Sequence, residues 1–162
     1  MRLIALSAVA LLASGAVAQA APPQVSVAVA PELQKKFVKT YGQREADLLT
    51  ADLKASVDKA LARTGAFEDA RIEVTLKNVK PNRPTFNQLA DTPGLSMESF
   101  GIGGATIEAR VIAPDGTVTP VSYQWYENDI RWVTGYWTWT DAEWTFDRFA
   151  RRLAHADQVA SR

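Results

Sequence analysis

This sequence predicts an α+β domain, with a mostly antiparallel sheet and two helices packed on one of its faces. Three observations carry that expectation. Apolar residues recur every four positions across Gln43 to Thr64. Apolar and polar residues alternate in several shorter runs. A second apolar stripe of helical period follows Thr140. A helix buries a stripe and a strand buries one face, so these elements must cover one another.

Met1-Arg2, the apolar run Leu3–Leu12 and the small-x-small Ala18-Gln19-Ala20 have the layout of a secretory signal peptide cleaved after Ala20. The run is too short and too interrupted, at Ser7, Ser14 and Gly15, to serve as a spanning helix. The expected organisation is a cleaved leader over 1–20 and a single α+β domain over 21–162, with its core at about 24–158. The expected location is the periplasm or the exterior, with no transmembrane anchor after cleavage. Removing twenty of 162 residues leaves 142, enough for a self-sufficient core.

Along that domain, Val25, Val27 and Val29 alternate with small residues and read as a strand, ended by Pro31. Leu33 to Tyr41, with Phe37 and Val38 among lysines, reads as a short edge strand or a loop. Leu49, Leu53, Val57 and Leu61 form the first helix stripe, and Gly65 is placed to cap it. Ile72, Val74 and Leu76 alternate with charged and polar residues in a half-buried strand. The connection Lys80–Ile102 is long, with a helical turn expected at Thr85–Gln88 and a type II turn at Pro93-Gly94. Ala105–Ala113 and Thr117–Tyr126 form a hairpin around Pro114-Asp115-Gly116. Asn128–Trp139 carries no clear period, and Gly135 marks a bend. Thr140 and Glu143 have capping-box spacing, followed by the stripe Ala142, Phe146, Phe149, Ala150 and Leu153.

Gly103-Gly104-Ala105-x-Ile107-Glu108, then Asp115-Gly116, then Phe146-x-x-Phe149-Ala150-x-x-Leu153 resembles small uncharacterised bacterial envelope lipoproteins. The order of elements is also similar to the α+β amino-terminal domain of the Tol-system translocation protein. The resemblance spans Gly101–Leu153 and implies an envelope location without an established chemistry. This chain departs from the lipoproteins in lacking the lipid-bearing cysteine.

Residue types exclude several functions. With no cysteine there is no thiol nucleophile, no disulfide and no lipid anchor through cysteine. The single histidine, His155, lies near the end of the last helix and makes a Ser-His-Asp site or a zinc site improbable on numbers alone. The chain has 18 basic and 18 acidic side chains, which gives no basic footprint for nucleic acid. Phe100–Ala105 is glycine-rich but lacks the P-loop lysine and precedes a strand, so it offers no phosphate cradle. No cofactor and no metal site are expected. Glu98, Glu108, Glu127, Asp129, Asp141 and Glu143 lie near aromatic residues and keep a carboxylate pair open as an alternative chemistry.

All five tryptophans fall between Trp125 and Trp144, with Tyr123, Tyr126 and Tyr136 among them. Rings of this size are anchors for protein partners and stacking platforms for sugars, or else a satellite core. If the segment from Tyr136 is extended, Trp137 and Trp139 share one face. The expected function is a non-catalytic binding or assembly module of the bacterial cell envelope. Its surface is drawn from Trp125, Trp132, Tyr136, Trp137 and Trp139 with Arg83, Phe86 and Phe100 of the long connection. An envelope protein or a cell-wall glycan is its partner. The alternatives are a carboxylate-based enzyme acting on cell-wall glycans and a purely structural domain.

Overall fold

Four strands form one sheet in the order β1-β2-β3-β4: β1 Gln24–Val29, β2 Arg71–Lys80, β3 Gly104–Ile112 and β4 Val118–Tyr126. The computed structural model describes residues 20–160, so the expected leader lies, apart from Ala20, outside the described residues. β1 runs parallel to β2, and the other two pairings are antiparallel. The parallel pair demands a crossover, supplied by α1 (Pro31–Lys36) and α2 (Gln43–Thr64). A short α3 (Phe86–Asp91) interrupts the long connection, and α4 (Thr140–Ala160) closes the chain.

The helices and the sheet share one core. Leu49, Leu53, Val57 and Leu61 of α2 face Ile72, Val74 and Leu76 of β2, Ile107 and Val111 of β3, and Phe146, Phe149 and Leu153 of α4. The opposite face of the sheet is polar, with Glu73 between Arg71 and Arg110 and Glu108 beside Lys77. A bulge between Leu76 and Asn78 lets Val79 return to the core side after two outward residues. No helix among the described residues is long and apolar enough to cross a membrane.

Turn chemistry follows the sequence at several points. Gly65 takes a left-handed conformation and donates its N–H to the Leu61 carbonyl. Thr85 and Gln88 form a reciprocal capping box. Leu95 N–H bonds the Thr92 carbonyl around Gly94, whose φ is +83°, as the expected turn requires.

Two expectations need correction. Leu33–Tyr41 is neither strand nor loop: it is α1 continued by a π-helical turn over Phe37–Tyr41. Leu33, Phe37 and Tyr41, four apart, are all buried on one side of it. The Thr140–Glu143 capping box is also absent. Glu143 N–H donates to the Trp139 carbonyl instead, and the Thr140 hydroxyl accepts from Trp137 N–H.

Candidate binding site

The long connection and the aromatic segment meet at the end of the sheet, where β2 leaves and β3 enters. A buried polar node joins them. Asn82, 1 % exposed, donates its side-chain amide to Asp141 Oδ2 at 2.5 Å and to the Gly101 carbonyl at 3.1 Å. Its Oδ1 accepts from the Asp141 backbone N–H, and its own N–H bonds the Thr138 carbonyl. Asp141 Oδ2 also accepts from Gly103 N–H at 2.9 Å. One asparagine thus ties β2's exit, β3's entrance and the first turn of α4 together. Asp141 Oδ1 is buried with no hydrogen-bond partner among the described residues.

The two glycines at this junction are steric necessities. A Cβ at Gly103 would lie 2.8 Å from both Asn82 Oδ1 and the Lys80 carbonyl. One at Gly104, where φ is +144°, would collide with the Trp125 carbonyl. The Gly-Gly pair is therefore a close backbone crossing.

Arg83 forms the second tie. Its Nε donates to the Tyr136 carbonyl at 2.6 Å, Nη2 to the Thr134 carbonyl at 2.5 Å and Nη1 to the Met97 carbonyl at 2.8 Å. A guanidinium with three carbonyl acceptors holds the loop before α4 against the end of the long connection. Further back, Asp129 clamps Arg131 and caps the short 3₁₀ turn Ile130–Trp132. The Arg131 contact holds the Asp129 carboxyl below its usual range.

On this frame the expected residues separate. Trp137 is 81 % exposed, Trp132 67 %, and Phe86 74 %. Phe100 and Met97 are also exposed. Phe86 and Met97 line a small hollow with Pro84 and Thr138, the residue next to Trp137. Phe100 belongs to a neighbouring cleft of about 280 Å³, walled by Tyr41, Lys80, Pro81, Pro84 and Leu95. Burial, and then the nearby Tyr126, push the Tyr41 hydroxyl above its usual range.

The other expected site residues play different parts. Trp139 is 3 % exposed and belongs to the core. Its indole N–H donates to Glu45 Oε2 at 2.6 Å, and Tyr41 meets its ring edge-on. Trp137 and Trp139 therefore do not share a face, because the chain turns between them instead of extending. Tyr136 is half-buried, edge-on to Trp144 at 4.9 Å. Trp125 lies on the helix side of β4 with the Arg148 guanidinium 4.0 Å above its ring.

The carboxylates disperse. Glu108 pairs with Lys77, Glu127 accepts from the backbone of its own loop, and Asp141 is locked in the node. Glu143 shares a groove between α2 and α4 with Asp52 and Asp147. Burial, then Asp52 and Asp147, push Glu143 above the usual range; burial does the same for Asp52. None of the tryptophans lines that groove. His155 is exposed on α4. Among the described residues no group of three acidic or histidine side chains is placed to hold a metal.

The chain matches no protein-family model and no curated protein.

Proposed function

We propose that this chain is an exported, non-catalytic binding module of the bacterial cell envelope, whose partner is a protein engaged by Trp137, Trp132, Phe86 and Met97. The carrying observation is the coexistence of large exposed rings with a fixed backbone. Trp137 is 81 % exposed, yet its own N–H, the Tyr136 carbonyl before it and the Thr138 carbonyl after it are all hydrogen-bonded. Rings displayed on a rigid frame lose little freedom on binding, which is what an anchor residue needs.

The neighbours favour a protein over a glycan. Phe86 and Met97 extend the surface with apolar groups, whereas sugar recognition needs hydrogen-bonding side chains around the stacking ring. Arg83, which bonds the carbonyl just before Trp137, already serves three backbone carbonyls. The leader-like first twenty residues and the resemblance to envelope lipoproteins support the location.

A photo-crosslinking side chain at position 137, in the producing bacterium, tests this reading. The expected result is a discrete crosslinked protein in the periplasmic fraction, absent when the crosslinker stands at exposed position 155. Equal labelling from both positions, or a chain retained in the cytoplasm with its leader intact, contradicts it.

A further inference from the structure

β4 is an edge strand whose outer edge carries no charged side chain and one blunting residue, Pro120. Its nine residues, Val118–Tyr126, contain no charge. Edges are commonly protected by charged side chains, bulges or covering elements. The direction of its backbone groups follows from the ladder. Ala113 N–H bonds the Thr117 carbonyl and Glu127 N–H bonds the Gly103 carbonyl, both within the β3–β4 register. Pairs at that spacing exchange bonds, so Thr119, Val121, Tyr123 and Trp125 bond inward to β3. Ser122, Gln124 and Tyr126 then point their N–H and C=O groups outward. Pro120 falls in the same outward set, where its missing N–H is harmless and ends donation at that end. Among the described residues no other backbone group bonds the Ser122, Gln124 or Tyr126 amides.

Two arginines stand on the helix side of this edge. Arg148 stands over Trp125 and Arg152 over Tyr123, with guanidinium carbons 4.0 and 6.0 Å from the ring centres. Neither arginine forms an ion pair among the described residues. Four helical residues rise about 6 Å. Two residues of a strand rise about 6.8 Å. The arginine row and the side-chain row of an added strand therefore have matching spacing. Ser122 is paired in register with Glu108, and Arg152 lines one hollow around the edge together with Glu108, Ser122 and Gln124.

We propose that the β4 edge accepts an extended peptide segment as a fifth strand, with acidic side chains at alternate positions facing Arg148 and Arg152. Backbone bonds to Ser122, Gln124 and Tyr126 supply the pairing, and the arginines select the sequence. The residues opposite Tyr123 and Trp125 project to the helix side and carry the acids. The residues opposite Ser122 and Gln124 exchange the hydrogen bonds and face the hollow where Glu108 and Arg152 meet, where no acid is needed. A second copy of β4 is a poor occupant, because it would bring two more arginines against the first two.

The test uses a capped peptide of alternating glutamate and valine, with two controls: lysine for glutamate, and methylation of the valine amide nitrogens. Calorimetry with the full chain reads binding. The glutamate peptide is expected to bind at least about fivefold more tightly than the lysine peptide, as for two exposed ion pairs. The N-methylated peptide is expected not to bind. Arg148→Gln with Arg152→Gln should remove the preference for glutamate, and Trp137→Ala should leave the affinity for this peptide unchanged, which separates this site from the platform around Trp137. Equal binding of the glutamate and lysine peptides, undiminished binding of the methylated peptide, or a dimer that Gln124→Pro abolishes would each overturn the proposal.

Discussion

Trp137 and Trp139 stand two residues apart and meet opposite fates. Trp139 packs beside Tyr41 with its N–H on Glu45, while Trp137 projects into solvent. The difference comes from the turn between them, which Asn82 fixes through the Thr138 carbonyl. Composition alone makes the two rings equivalent. Their surroundings bury one ring and leave the other in solvent, and the polar node between them decides which is which.

Disrupting the node should have the largest effect. Asp141→Ala leaves the buried Gly103 N–H without its acceptor and removes a bond from Asn82. The expected loss is about 3 kcal/mol, measured by urea unfolding. Asp141→Asn keeps an acceptor oxygen and should lose less than half of that. An Asp141→Ala variant as stable as the parent would show that the ties around Trp137 do not depend on the node.

Arg83→Met comes next. It removes three bonds from a partly exposed guanidinium, and about 1–2 kcal/mol is expected. The sharper readout is position-specific: crosslinking from position 137 should fall much further than stability does. A parallel fall in both would make Arg83 an ordinary stabilising residue.

The smallest effect belongs to the α2–α4 groove. The Glu143 carboxyl is raised in the folded chain above its ordinary value of 4.5, chiefly by burial. The folded state therefore binds this proton more tightly than the unfolded state. That contribution is full below the unfolded value and is lost as pH rises through the raised folded value. Glu143→Gln should flatten the decline in melting temperature over that window and raise stability slightly at neutral pH. A steeper decline in the variant would contradict the assigned direction.

Much of the fold was legible because burial imposes periods. The valines of β1, the alternation of β2 and the stripes of α2 and α4 each report one covered face. The same logic locates Trp139, since 139, 142, 146, 149 and 153 continue one helical stripe; its tryptophan neighbours mask this in the sequence. Leu33, Phe37 and Tyr41 carry a four-residue period too, obscured by the short length and by Val38 and Thr40. The node was not legible. Asn82 and Asp141 are 59 positions apart, and nothing in a one-dimensional pattern pairs an asparagine in one loop with a carboxylate beside another. Nothing in the sequence sets Arg148 and Arg152 apart from other helix-surface cations; the fold brings them over Trp125 and Tyr123.

Trp132 and Trp137 are displayed by the frame and should contribute little to holding it together. Urea unfolding of the three single alanine variants tests this directly. Trp139→Ala is expected to cost about 3–5 kcal/mol, as for a large ring removed from a core. Trp132→Ala and Trp137→Ala are expected to stay within about 0.5 kcal/mol of the parent. Large losses in all three would make the aromatic segment core throughout and contradict the binding surface.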